Sequence, residues 1–333
     1  MFFHSQPIFQ PGSQPFQHCH AATLVESAGG GLLAAWFGGA HEGHADVAIW
    51  LARCQAGQWQ APVKIAAMPG VPLWNPVLFN DRAGTLWLFY KIGPAIPAWT
   101  GACIRSTDDG LHWSRPTLLP AGLLGPSKNK PLLLSNGDIL CGSSVETWRS
   151  WAGWVEISRD GGETWQRFGP IALPTRYPEE VDAVHRLDLP DDFAGVIQPT
   201  VWEYAPGRLK MLLRASQPVG FICHSLSDDY GRTWTAPVPT ALCNPNSGID
   251  AVRLADGRIA LVYNPSRTER TPLAVALSED NGLTWPRQRL LESGPGEFSY
   301  PAIIQASDGL LHVVYTHRRT TIQHVVLDAE WID

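Results

Sequence analysis

Four eight-residue phrases in this chain fit one pattern, S-x-D-x-G-x-x-W, and they restrict the fold more than any other feature. They are STDDGLHW from Ser106, SRDGGETW from Ser158, SDDYGRTW from Ser227 and SEDNGLTW from Ser278. A catalytic motif is needed once, so a phrase written four times builds a frame. In each copy the Asp can accept hydrogen bonds from its own turn, the Gly can adopt positive φ, and the Trp can pack between neighbouring units. These Asp residues are expected to be structural.

A second phrase sets the period. It runs from a Pro-like position through an apolar stretch, a Gly turn and another apolar stretch, as in NPVLFNDRAGTLWLFY, QPTVWEYAPGRLKMLLR and YPAIIQASDGLLHVVY. Six copies align at Ala22, Pro76, Pro131, Pro199, Ile249 and Pro301, mostly at intervals of about fifty residues. Each copy reads as a β-hairpin. The S-x-D-x-G-x-x-W turn then joins a third strand to a fourth. The fold class is therefore all-β: a six-bladed β-propeller over residues 1–333, with blades beginning near residues 20, 75, 130, 198, 248 and 300. The last copy lacks a fourth strand before the chain ends, and HSQPIFQ near the N-terminus is the expected donor that closes the last blade.

Composition agrees with many short strands and turns: 31 Gly, 28 Pro and 15 Trp, with only 17% charged residues. A formal net charge of −6 argues against a nucleic-acid partner. No apolar run is long enough for a membrane span. The N-terminus lacks the pattern of a secretory signal, which makes the cytoplasm the expected compartment. The six Cys are scattered without a CxxC pair and read as reduced, mostly buried thiols. The sequence leaves the oligomeric state open.

Propeller geometry sorts the polar residues by face. If each inner strand starts at one end of the axis, the residues just before it gather there: His20, Asn75, Asn129, Lys130, Gln198, Asn246, Ser247 and Tyr300. Loops between second and third strands add His41, Glu42, His44 and Asp46, then Glu146, Trp148, Arg149 and Trp151. The later blades add Arg214, Arg267, Arg270, His317, Arg318 and Arg319. An acidic chain thus gathers cations at one mouth, a funnel for an anionic ligand. Arg suits a carboxylate because its guanidinium can engage both oxygens. Lys130, Asn75, Arg149, Trp151 and Arg318 are substrate-binding candidates on this ground. The pairs His18/His20 and His41/His44 could offer nitrogen to zinc, but no spacing motif supports a site, and no metal or other cofactor is expected. The connection RFGPIALPTRYPEEVDAVHRLDLPDDFAG is expected to hang over the mouth.

With its four Asp-box phrases and six repeats, the chain resembles the sialidase (neuraminidase) superfamily along essentially its whole length. The resemblance implies three Arg holding a substrate carboxylate, a Tyr nucleophile paired with a Glu, and an Asp acid/base from a blade-one loop. Carried over by position, MLLRAS supplies Arg214, RTPLAVALSEDNG supplies Arg270 and EFSYPAI supplies Tyr300. The acid loop is HEGHADVAI, with Glu42 and Asp46 both eligible. Two positions depart. CHAATL puts His20 where the first Arg is expected, and IQPTVW puts Gln198 where the Glu is expected. Histidine lacks the bidentate fork, and glutamine cannot take the proton of a Tyr nucleophile.

Three functions follow as expectations, with an acidic oligosaccharide or glycoside as the partner. The first is hydrolysis of a glycosidic bond at a carboxylate-bearing sugar, with Arg214 and Arg270 as anchors, Glu42 or Asp46 as acid and Tyr300 facing the anomeric carbon. The second is β-elimination on a uronic acid, with His20 and Tyr300 as the proton-transfer pair and His44 in reserve. The third is acidic-glycan binding without chemistry.

Overall fold

The computed structural model describes residues 1–174 and 193–332; residues 175–192, most of the long connection expected over the mouth, lie outside that set. The described chain forms six antiparallel sheets arranged as a six-bladed β-propeller. The innermost strands are His18–Glu26, Leu73–Asn80, Leu132–Leu133, Val196–Ala205, Asp250–Arg253 and Phe298–Gln305.

The burial of each strand follows from its place in the blade. Second strands such as Leu32–Gly39 (LLAAWFGG) and Ile259–Tyr263 (IALVY) are buried along their whole length. Both their faces are covered by neighbouring blades, so they read as continuous apolar runs rather than alternating ones. Outer strands such as Arg287–Glu292 (RQRLLE) alternate between half-buried and exposed residues. The core is a set of slabs between blades: Leu33 and Leu51 of blade one pack with Leu78 and Leu88 of blade two, and Leu140 of blade three packs with Leu209 of blade four.

The repeated turns are built alike. In the fourth, Ser278 Oγ donates to Asp280 Oδ1 at 2.8 Å and accepts from Gly282 N at 2.8 Å. Asp280 Oδ1 also accepts from Leu283 N and Thr284 N at 3.0 and 2.8 Å, and its Oδ2 accepts from Thr284 Oγ1 at 2.5 Å. The Asn281–Gly282 pair takes two successive positive φ values, 58° and 74°. A Cβ on Gly282 would lie 3.1 Å from the Trp202 ring of the preceding blade. The turn thereby seats its own Trp285 against a cluster that holds Trp202 of blade four and Ile249 of blade five. The same hydrogen bonds act on the carboxyl groups. In the second turn the Thr164 hydroxyl, then its N–H, then the Ser158 hydroxyl hold Asp160 at about 2. In the fourth, burial opposes the shift, but the Thr284 and Ser278 bonds outweigh it and hold Asp280 at about 2.

Ring closure uses the N-terminal segment. Phe3–Pro7 lies antiparallel to Thr321–Leu327, from Phe3 opposite Leu327 to Pro7 opposite Gln323. Ile8 N then donates to Ile322 O at 2.8 Å, and the Phe9 ring stacks on Trp36 of blade one at 5.1 Å. The segment joins the last blade to the first. All six Cys are unpaired, and five of them are buried. Among the described residues, no helix is long and apolar enough to cross a membrane.

The axis is filled by polar groups rather than left open. Asp250 is buried and accepts from Lys130 Nζ at 2.8 Å, Thr200 Oγ1 at 2.9 Å and Ile303 N at 2.9 Å. Blades three, four, five and six are thus tied to one carboxylate.

Two outcomes follow. Asp280→Ala removes four hydrogen bonds from one turn and is expected to cost about 1–2 kcal/mol, read as a fall of a few degrees in calorimetric Tm; an unchanged Tm would contradict the structural role. Because the folded pKa of such an Asp is depressed, its contribution is present above the ordinary Asp range and lost as pH falls through about 2. Deleting residues 1–9 is expected to abolish hydrogen-exchange protection of the 321–327 amides that face Phe3–Pro7, whereas retained protection would show that another segment covers that edge.

Candidate active site

At one end of the axis four inner strands carry the same defect. His20 and Thr23 face Phe37 and Ala35, so three steps on one strand oppose two on the other, and the same slip occurs at Trp74/Val77, Ile197/Thr200 and Ser299/Ala302. Each is a β-bulge, which re-aims the side chains around it. The bulged residue has positive φ in every case: Ala21 at 57°, Asn75 at 39°, Gln198 at 54° and Tyr300 at 52°. Three of these precede a Pro, and a left-handed non-glycine residue costs of order 1–3 kcal/mol. The corners hold because the groups around them are bonded: Asn129 Nδ2 donates to Gln198 O at 3.0 Å, and Asn75 Nδ2 donates to Ser127 O at 3.1 Å.

The bulges open onto a pocket of about 160 Å³. Of the residues expected at the site, His20, Glu42, Asn75, Trp151, Gln198, Arg214, Arg270 and Tyr300 line it together. Glu146 and Arg319, expected at the mouth without an assigned role, line it as well. Trp74, Ile96 and Trp99 form an apolar wall from blade two that sequence reasoning missed; Trp74 reads there as an ordinary core-strand residue.

Arg214 lies at the centre and is 6% exposed. Its Nε donates to Asn246 Oδ1 at 2.8 Å, and its Nη1 donates to Gln198 Oε1 at 3.2 Å and to Tyr300 Oη at 2.5 Å. None of the three partners is a carboxylate. Arg270 and Arg319 differ, because Glu297 bridges them: its Oε1 accepts from Arg270 Nη1 at 3.0 Å and its Oε2 from Arg319 Nε at 2.9 Å. Arg319 Nη1 also donates to Glu42 Oε2 at 2.5 Å. Burial would raise the Glu297 carboxyl, but Arg319, Ser299 and Arg270 together hold it below the ordinary carboxylate range.

His20 is buried, its Nδ1 lies 2.9 Å from Thr316 Oγ1, and its ring centroid lies 4.1 Å from that of Tyr300. Burial first, then Arg319, Arg270, Arg214 and Lys128, push its pKa far below the ordinary imidazole value, so it is neutral. Beneath Tyr300 lies Lys128, another residue sequence reasoning missed. Its Nζ donates to Asn129 Oδ1 and Ile249 O at 2.9 Å each, and to the carbonyl of Pro301 next to Tyr300. Burial lowers it to about 7, with Asp250 opposing.

Five candidates lie elsewhere. Lys130 does not line the pocket, because its ammonium is bonded to Asp250 in the axis. Asp46 closes its own loop instead, accepting from Ala40 N at 3.0 Å and lying 2.7 Å from His44 Nδ1, which leaves both residues outside the pocket. Arg149 lies over the ring of exposed Trp148 at 4.5 Å. Arg318 lies over Phe298 at 5.8 Å, while its neighbour Arg319 turns inward. His41 and His44 are adjacent, with ring centroids 5.0 Å apart, but among the described residues no three His, Cys, Asp or Glu are placed to hold a metal ion.

Comparison with known proteins agrees with the propeller fold. The family model described as a BNR repeat-like domain matches residues 30–313. A sialidase of Bacteroides fragilis is 22% identical over 243 residues, 68% of this chain and 40% of that protein. A sialidase of Micromonospora viridifaciens is 23% identical over 255 residues, 76% of this chain and 29% of that protein. The chain therefore spans less than half the length of these curated relatives. The solved structure of the Hadza microbial sialidase Hz136 superposes with a TM-score of 0.79 at 18% identity, over 99% of this chain and 69% of that one. The chain belongs to the BNR repeat-like family and is a divergent member of the sialidase superfamily.

Proposed function

We propose that this protein is a glycosidase that hydrolyses the bond at a carboxylate-bearing sugar, sialic or uronic. The observation that carries the reading is the set of partners around Arg214. Among the described residues its hydrogen bonds go to two amide oxygens and a phenol and to no carboxylate, and a low-dielectric pocket strongly favours an anion beside such a guanidinium. Gln198 is central to this. A Glu at that position would neutralise Arg214, whereas the amide holds the guanidinium and leaves its charge for a substrate carboxylate.

Arg214 and Arg270 anchor the carboxylate, and both guanidinium carbons lie 5.5 Å from the centroid of the Tyr300 ring. A sugar held this way presents its anomeric carbon to the Tyr300 oxygen. The N–H that Arg214 donates to that oxygen holds it in place, with its lone pair toward the positive charge that develops at the anomeric carbon as the bond breaks. The wall of Trp74, Ile96 and Trp99 supports the apolar part of the sugar. The superfamily relatives named sialidases point to the same substrate class.

Contact between the His20 and Tyr300 rings supports β-elimination as a second reading. It is the weaker one. The burial and cations that keep His20 neutral also make it a poor base, and its Nδ1 is occupied by Thr316.

The test incubates the protein with sialosides and uronate-containing oligosaccharides while following released sugar and the absorbance of an unsaturated uronate. Released sugar without that absorbance is expected. A rising absorbance would establish elimination instead, and binding without product would make the protein a lectin. Tyr300→Phe removes the oxygen facing the anomeric carbon and is expected to lower kcat/KM about 100-fold or more, whereas unchanged turnover would remove Tyr300 from the chemistry.

A further inference from the structure

The structure shows no free acid where the sequence places one. Asp46 is outside the pocket, and Glu42 is committed to an ion pair with Arg319. A third carboxyl does line the pocket. Glu146 ends the strand Ile139–Glu146, opposite Trp151, which also lines the pocket. No hydrogen bond or ion pair holds its side chain among the described residues. The geometry points to Glu146 as the general acid that protonates the departing glycosidic oxygen, armed by the arrival of the substrate's own carboxylate at Arg214. This assignment rests on the glycosidic-cleavage reading.

Two features support it. Burial pushes the Glu146 carboxyl above its ordinary value, and the one charge pulling the other way is Arg214. The other charged or titratable groups in the pocket are His20, Glu42, Arg270, Tyr300 and Arg319. His20 is neutral, and Arg270 and Arg319 are compensated by Glu297 and Glu42. When a substrate carboxylate binds Arg214, it cancels the attraction that favours ionised Glu146 and adds a like charge nearby. Both effects favour the protonated acid. The proton is therefore held most firmly when a substrate with the right charge is present.

The step balances. The bond between the anomeric carbon and the glycosidic oxygen breaks, its electron pair goes to that oxygen, and the oxygen takes the Glu146 proton. Water then adds to the anomeric carbon, and the Glu146 carboxylate takes its proton back from that water.

The acid role is tested with Glu146→Gln on two substrates of one sugar acid, an alkyl glycoside whose leaving oxygen needs a proton and a nitrophenyl glycoside whose leaving oxygen does not. Loss of about 100-fold or more in kcat on the alkyl glycoside is expected, with a far smaller loss on the nitrophenyl one. Equal losses on both would overturn the assignment, and so would no loss. Misfolding of the variant cannot imitate the expected result, because it would remove both activities. In the wild type, activity on the alkyl glycoside should fall as pH rises through the raised Glu146 value. That limb should lie at higher pH in kcat, which reports the complex, than in kcat/KM, which reports the free enzyme; coincident limbs would overturn the arming step.

A readout independent of turnover is the carboxyl carbon-13 resonance of Glu146, assigned by its loss in Glu146→Gln. It should titrate above the ordinary Glu range and move further upward when the free sugar acid is added. A resonance in the ordinary range, unmoved by the sugar acid, would overturn the proposal. The two failures are separable. A wild type that cleaves none of the glycosides overturns the function and the proposal together, while alkyl-glycoside cleavage that survives Glu146→Gln overturns the proposal alone.

Discussion

The pocket end of the propeller depends on a backbone conformation that its residues resist. Asn75, Gln198 and Tyr300 each have positive φ directly before a proline, at the same bulge of three inner strands. Relaxing any of these corners to an ordinary strand would turn its side chain out of the pocket. The strain is offset by packing and by hydrogen bonds to the peptides around the corners: Asn129 to Gln198, Asn75 to Ser127, and Lys128 to Pro301. Asp250 secures the same layer from below through Lys130, Thr200 and Ile303. The polar axis thus supports the pocket, although none of its charges lines it.

The cations of the pocket fall into two groups by their partners. Arg270 and Arg319 share Glu297, and Arg319 also binds Glu42, so this side is rigid and nearly neutral. Arg214 has only Asn246, Gln198 and Tyr300. Among the described residues, the pocket thus leaves one buried guanidinium, beside the tyrosine oxygen, with no carboxylate bonded to it. An anion recognised there is positioned as well as attracted, which a diffuse basic surface would not achieve. The two departures from the sialidase pattern, His20 and Gln198, then have a common effect. Both replace a charged group with a neutral one, and Arg214 becomes the dominant electrostatic feature.

The frame was legible in the sequence because four of the six blades repeat the same turn chemistry. A Ser, an Asp, a Gly and a Trp at fixed spacing are what one turn needs to satisfy its amides and seat a ring on the preceding blade. Tyr300, Gln198 and Asn75 could be placed in the pocket because each precedes the Pro-like position of an inner strand. Lys130 obeys the same rule yet turns into the axis, where Asp250 offers a buried counter-charge that no local pattern announces. Arg318 and Arg319 are adjacent in a tight turn, so only three-dimensional geometry shows which one points inward. Glu146 was readable as a mouth residue, but the role proposed for it was not, because that depends on Glu42 being paired with Arg319 of another blade and on Asp46 being held within its own loop. Trp74 was hidden for the opposite reason, since a tryptophan in a buried strand looks like core.

The most direct measurement of the central claim is calorimetric titration with a free sugar acid and with its uncharged methyl ester, on the wild type and on Arg214→Met. The account predicts that the wild type binds the acid at least ~10-fold more tightly than the ester, and that Arg214→Met removes the difference. Equal binding of acid and ester by the wild type, or a preference that survives Arg214→Met, would contradict it.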